Sequence, residues 1–284
     1  MAGSSPEAPA RRFRSGGWGR RLLIGGVVAY LVWLIGLPLT GIYRGAFGRG
    51  AGPFVGALAR PDVLHAFGVT FAMSAAAVLI NAVFGLVVAW VLVHHRNRGQ
   101  RLMNAIIDLP FAVSPVVAGY MILLLFGRDG WFRGAAEAAG VSVAFAWPGI
   151  LMATMFVSLP FVIRSVAPVL EAMGEESFEA ARTLGASPWQ IFRRVTLPGI
   201  KWGLLYGMTL TLERTLGEFG AVFVVGGAVV GATETATIAV FRSMDERQYL
   251  AAYAISAVLI GIAAAVLTAM EVLRRGAGTP EEAG

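Results

Sequence analysis

Cysteine is absent from all 284 residues, which excludes disulfides, thiolate metal sites and thiol catalysis. Lysine occurs once, as Lys201, and Trp202 follows it. A phosphate-cradling P-loop needs Gly-Lys-Ser/Thr, so this chain is not expected to bind or hydrolyse ATP itself. Histidine occurs three times, as His65, His94 and His95. No H-E-x-x-H or comparable spacing is present, and His94 and His95 beside Arg96 read as a solvated interfacial pair rather than a metal site. No G-x-S-x-G occurs either. Neither catalysis nor a resident metal or cofactor is expected.

Charge is also scarce, at 14% of residues against 57% hydrophobic, with a mean hydropathy of +0.70. Five stretches, 22–43, 66–93, 109–127, 138–163 and 249–270, contain no Asp, Glu, Lys or Arg. Each is near the roughly 20 apolar residues that a membrane-spanning helix needs. A sixth stretch, 201–225, is apolar at both ends but carries Glu213, Arg214 and Glu218. Backbone amides in hydrocarbon must pair within their own segment, and these continuous runs lack the alternation of a barrel strand. The expectation is an all-α membrane protein of six transmembrane helices over 18–275, with a disordered basic tail at 1–17 and a short tail at 276–284. The first apolar run is longer than a signal peptide's, and no A-x-A-like site follows it, so it reads as a retained span.

A sequence pI near 10.3 raises the question of nucleic acid. The position of the charges answers it. Of the 23 basic residues, fifteen precede the first run, follow the second, lie between the fourth and fifth (Arg164 among them) or follow the sixth, whereas seven lie on the other side. Positive-inside bias accounts for this asymmetry without nucleic acid and predicts an inner-membrane, multi-pass protein with both termini cytoplasmic.

One cytoplasmic segment, about 171–198, interrupts this pattern. Phe178, Ala181 and Leu184 suggest the apolar face of a short helix whose early turns hold Glu175, Glu176 and Glu179. Gly185 stands where a residue of positive φ would end it. Ser187, Pro188 and Gln190 then form a Ser-x-x-Gln capping box with proline at the first helical position. Trp189 and Phe192 mark the second helix's apolar face, and Pro198 closes it. Two capped helices meeting at a glycine are more than a plain loop requires. A DNA-binding helix-turn-helix fits poorly with a segment tethered between spans and acidic in its first half. A protein-docking element is the better reading.

The spacing Glu179-Ala180-Ala181, three residues, Gly185, nine residues, Val195-x-Leu197-Pro198 resembles the EAA loop of ABC-importer permeases, with Val195 where that pattern has isoleucine. DLPFAVSPVVAG at 108–119, KWGLLYG at 201–207 and LGEFGAV at 216–222 look like the sulfate/thiosulfate permeases, in particular the CysW-type subunit. Molybdate permeases share the EAA loop and GEFG. The resemblance implies a type I importer fold and a permease role in carrying sulfate or thiosulfate inward. It further implies a coupling helix in which Glu179, Ala180, Ala181, Leu184, Gly185, Ala186, Ser187 and Trp189 contact a separate ATPase dimer that binds ATP and Mg. A second, CysT-like permease subunit and an extracytoplasmic sulfate/thiosulfate-binding protein complete the implied assembly in membrane lipid. Glu213 stands where the family usually has a small residue, and FVVGGAVVG replaces a more polar stretch.

Arg214 and Glu218, four residues apart, share a helix face and can pair. They either line or gate an anion path, with Gly217 beside them, or fix helix packing. One positive and two negative charges at this point would repel a dianion, so no tight anion site is expected there. Asn81, Pro110 and Pro115 either line the path or kink and hydrogen-bond helices. The segment 226–248 reads as a landing surface for the binding protein or a solvated loop. An ion-driven carrier, the rival from another class, would show internal repeats and interrupted helices; no repeat is evident.

Overall fold

The computed structural model describes residues 17–94 and 99–276. The tails at 1–17 and 276–284 lie outside them, save Gly17 and Gly276, which end helices. No strand occurs among the described residues. The helices are α1 (Gly17–Leu31), α2 (Leu37–Phe47), α3 (Ala51–Leu58), α4 (Pro61–His94), α5 (Gln100–Ala112), α6 (Pro115–Phe126) and α7 (Arg133–Ala138). They continue with α8 (Trp147–Met173), α9 (Glu176–Thr183), α10 (Pro188–Ile191), α11 (Leu197–Leu216), α12 (Gly220–Gly226), α13 (Ala236–Asp245) and α14 (Tyr249–Gly276).

Wide π-helical turns join α1 to α2 (Val32–Gly36) and α10 to α11 (Phe192–Thr196). Each precedes a Leu-Pro pair, Leu37-Pro38 and Leu197-Pro198. Proline has no N–H to donate and crowds the carbonyl four residues back, so the preceding turn opens instead of breaking.

Among the described residues four helices are long and apolar enough to cross a membrane: Trp18–Phe47, Pro61–His94, Trp147–Met173 and Tyr249–Arg275. The expected span at 109–127 is not one straight helix. The pair α5 and α6 bends by 110° at Val113 and Ser114, where Pro115 disfavours helical geometry in the residue before it. The stretch 201–225 is broken too, with α11 ending at Leu216 and α12 starting at Gly220. Among the described residues the continuous apolar helices thus number four, or five crossings if the bent pair counts as one. The stretch 138–163 is shifted as well: its helix runs from Trp147 to Met173, so Arg164, assigned above to the cytoplasmic loop, lies nine residues inside it.

α8 is the central element, packed against α4, α5, α6, α11 and α12. One apolar core (Ile150, Val157, Ala221, Val225) joins it to α6, α12 and α13, and a second (Leu92, Ile107, Val162, Val166, Ile200) to α4, α5 and α11. Because lipid is as apolar as leucine, close backbone approach replaces hydrophobic drive, and small residues allow it. Gly203 and Gly207 form a G-x-x-x-G stripe on α11. A Cβ at Gly207 would lie 2.9 Å from Val162 Cα, and one at Gly203 2.9 Å from the Ser165 carbonyl oxygen.

At the end opposite α9, charges lock the bundle. Arg242 on α13 bonds Asp62 at 2.7 Å and Glu234 at 2.7 and 3.2 Å. Arg60 donates to Asp62 and to Gln248. Glu234 is fully buried, and its hydrogen bond is the first cause holding Arg242 above the ordinary guanidinium range. The segment 226–248 is solvated only in part: Glu234, Ala236 and Ala239 are wholly enclosed, while 229–232 and 244–247 are exposed. By contrast α1 stands apart from the bundle, with Leu22, Leu23, Val28 and Leu31 all exposed, as lipid contact requires.

Gly207→Val should force the α8 and α11 backbones apart and destabilise the bundle by about 1–3 kcal/mol. A lower thermal midpoint for the detergent-solubilised protein would be the measure, and an unchanged midpoint would contradict the packing described.

Candidate functional site

Two regions collect the residues singled out above. The first is the elbow between α9 and α10. Its inner side is anchored: Phe178 is buried with ring centroids 5.6 Å from Trp90 and 5.5 Å from His94, both edge-on. Trp90 and His94 stack at 3.9 Å, and His94 Nδ1 lies 3.1 Å from the Trp90 carbonyl. His94 is therefore a packing element at the end of α4 rather than a solvated partner of His95, which lies outside the described residues. Ile191 is buried on the other arm. Between elbow and α4 lies a cavity of about 1020 Å³.

The turn itself is tightly specified. Gly185 has φ +79°, its N–H donates to the Arg182 carbonyl at 2.9 Å, and the Ala186 N–H donates to Ala181 at 3.1 Å. This 6→1 and 5→2 pattern satisfies carbonyls that a helix end otherwise leaves open. The expected capping box is present: Ser187 N–H donates to Gln190 Oε1 at 2.8 Å, and Gln190 N–H to Ser187 Oγ at 3.3 Å. Trp189 and Phe192 stack at 5.5 Å.

The elbow's tip is apolar and uncovered. Leu184 is 87% exposed and Trp189 66% exposed, with Glu179 and Ala180 exposed beside them and Ala181 and Ala186 half-buried. Leu184 does not share a face with Phe178 as expected. Six residues at about 100° each place it some 120° away, and it caps the helix rather than continuing it.

The second region joins the two helix breaks. A Cβ at Gly220, at the start of α12, would lie 3.4 Å from Pro115 Cβ and 3.1 Å from Val116, and one at Gly119 would lie 2.5 Å from the Ala221 carbonyl oxygen. α6 and α12 are thus packed backbone to backbone. Glu218 is buried, accepts the Ala221 N–H at 3.0 Å and sits 2.6 Å from Arg214 Nη1. No aligned hydrogen bond reaches its Oε2, so the pair is mainly Coulombic. Thr237 donates to the Glu218 carbonyl at 2.7 Å, tying α13 to the break. Arg214, Gly217, Glu218 and Pro115 are brought together here. Asn81 is not: it is buried in the α4–α8 contact, donating to the Met155 carbonyl at 3.0 Å and Ser158 at 2.9 Å. The buried Glu213 Oε1 has no hydrogen-bond partner among the described residues.

Residues 60–276 match the family model described as "Binding-protein-dependent transport system inner membrane component". The chain belongs to that family. This inner membrane component is 45% identical to the sulfate transport system permease protein CysW of Synechocystis sp. (strain ATCC 27184 / PCC 6803 / Kazusa), over 90% of this chain and 93% of that one. Two Escherichia coli (strain K12) proteins are also similar. The sulfate transport system permease protein CysW is 41% identical over 90% of this chain and 85% of that one, and CysT is 35% identical over 90% and 92%. Among solved structures, a bacterial alginate ABC transporter, crystallised with its alginate pentasaccharide-bound periplasmic protein, has the same fold. The TM-score is 0.75 at 15% identity, covering 91% of this chain and 94% of that one. Interrupted helices, expected of an ion-driven carrier, thus occur here in a member of a binding-protein-dependent family.

Three features were missed in the sequence. The G-x-x-x-G stripe was in view inside KWGLLYG; the breaks at Ser114 and Gly217 were signalled by Ser-Pro and Gly-Glu-Phe-Gly; the Asp108–Arg164 pair, described below, had no local signal.

Replacing Ser187 by Ala should remove the cap and destabilise α10 by about 1 kcal/mol. Gly185→Val should strain the turn by roughly 1–3 kcal/mol. Both changes predict faster hydrogen exchange at the Ala186 and Gln190 amides, and unchanged protection would count against the elbow as described.

Proposed function

We propose that this chain is one permease subunit of an ATP-driven importer of sulfate or thiosulfate, coupled to a separate ATPase dimer by the α9–α10 elbow. The observation that carries the substrate is the 45% identity to a sulfate transport system permease along nearly the whole of both chains. The coupling role is supported by the elbow's construction. A tip of Leu184, Gly185 and Trp189, uncovered yet stiffened by two caps, suits insertion into a cleft, because a preordered segment loses little entropy on docking. Phe178 and Ile191 would pass displacement of that tip to α4 and α11.

In this reading the membrane is crossed six times, with the bent α5–α6 pair as one crossing and α11–α12 as another. Both termini and the elbow lie in the cytoplasm, as the arginine distribution favours. ATP and Mg belong to the ATPase, and this chain binds no cofactor. One elbow per chain calls for a second permease subunit to engage a dimeric ATPase. That partner is CysT-like, since one organism's CysW and CysT proteins both resemble this chain. Selection of the anion falls to an extracytoplasmic binding protein that lands on the face made by α13 and the turns around it. The permease supplies a gated path whose breaks shift as the ATPase closes.

The decisive measurement is labelled sulfate uptake in cells lacking this chain and restored by its gene. Excess thiosulfate should block restored uptake and molybdate should not, whereas preferential block by molybdate would reassign the anion. Leu184→Asp should abolish uptake while the protein still accumulates in the membrane, because a charge replaces the apolar tip. Normal uptake by that variant would refute the coupling role.

A further inference from the structure

Arg164 is out of place for a lipid-facing side chain. α8 has 27 residues, about 40 Å at 1.5 Å per residue, and Arg164 lies about 6 Å from its midpoint. Gly85 of α4 packs on Val162 of α8, which sets Arg164 on the elbow side of the bundle, toward the edge of a hydrocarbon layer about 30 Å thick. It makes a two-pronged contact with Asp108 of α5, Nε to Oδ1 at 3.0 Å and Nη2 to Oδ2 at 2.6 Å. Both partners remain open, with side chains 39% and 50% exposed. Leu102, Ile106, Leu109 and Phe111 are exposed on the same helix, Phe111 edge-on against Phe161, while Asn104 and the exposed Arg101 lie one and two turns before Asp108. An ionised pair open to hydrocarbon is strongly disfavoured, so this face meets water or a polar partner within the membrane.

Arg164 and Arg214 differ in what their release would leave behind. Separating Arg214 from Glu218 would strand a buried carboxylate that also holds the N-terminus of α12. Separating Arg164 from Asp108 would leave a carboxylate that is half open and can be hydrated. Arg164 is thus the cation whose partner is exchangeable. Its planar fork matches two oxygens of a carboxylate or of a tetrahedral oxyanion equally well.

We infer that Arg164 is a transient station for the transported oxyanion inside the membrane, and that Asp108 is the built-in competitor that occupies the fork between passages. The inference rests on the anion-import reading of the preceding subsection. It deepens that reading by naming a contact on α8, away from Arg214. The competition has a use: an anion must leave as readily as it enters, and a carboxylate waiting beside the guanidinium displaces it without a tight complex forming. Asp108 lies six residues before Ser114, so reorientation at the α5–α6 bend would move the competitor while leaving Arg164 on the straight central helix.

The test uses the full importer in cells whose own copy of this chain is deleted, with labelled sulfate as probe and membrane accumulation measured in parallel. Arg164→Gln should lower uptake about tenfold or more, the loss of a charge-assisted contact. The double variant Asp108→Asn/Arg164→Gln separates the two explanations. If the pair only holds α5 to α8, removing both charges restores uptake to the natural level and overturns the inference. If the cation serves the anion, uptake stays as low as in Arg164→Gln. Should the double variant fail to accumulate, Asp108→Asn/Arg164→Lys takes its place. It keeps a cation but not the fork, and should leave uptake between that of Arg164→Gln and that of the natural chain, whereas a loss as deep as that of Arg164→Gln would overturn the inference. If the natural chain itself restores no uptake of sulfate, thiosulfate or molybdate, the anion-import reading fails and this inference with it. Normal uptake together with full rescue by the double variant removes only the inference.

Discussion

Hydrocarbon offers backbone amides no hydrogen bonds, and the structure follows from that constraint. Where the chain stays helical it satisfies itself. Where it departs from a helix inside the bundle, something must stand in for water. At the break after α11 the Glu218 carboxylate takes an amide of α12 and its carbonyl takes the Thr237 hydroxyl. At the break after α5, α6 presses its Gly119 against the α12 backbone. The two interruptions are placed side by side, so irregular backbone is gathered in one zone, where Glu218 is buried while Ser114 and Gly217 stay exposed. The rest of the bundle is held by glycine-lined contacts of α8 with α4 and α11.

The same logic explains which parts were legible in the sequence. The elbow was readable almost residue by residue, because caps and positive-φ glycines are local. Ser187, Gln190 and Gly185 do what their chemistry requires wherever the chain goes. The long spans were readable from their lack of charge. The face assigned to Leu184 failed because a spacing of six residues does not stay on one side of a helix. The third and fifth spans failed as continuous helices because composition reports apolarity and not direction. The chain around Ser114 is apolar on both sides of a 110° bend.

Tertiary pairings were the least visible. Nothing near Asp108 announces Arg164, 56 residues on, and the shift of the fourth helix toward its C-terminal end hid the arginine in a supposed loop. Asp62 and Arg242, 180 residues apart, were equally silent. Such contacts depend on how helices are arranged around α8, which periodicity alone does not report.

α4 has 34 residues and no proline beyond its first position, while α5–α6 and α11–α12 are each interrupted. It is a rod of about 51 Å, gripped by aromatic rings at His94 and by a net of charges at Asp62. Tilting such a rod by about 5° about one end carries the other through about 4 Å. In the proposed coupling, a push at Phe178 would reach the charges around Asp62 and Arg242 along α4, without passing through either break.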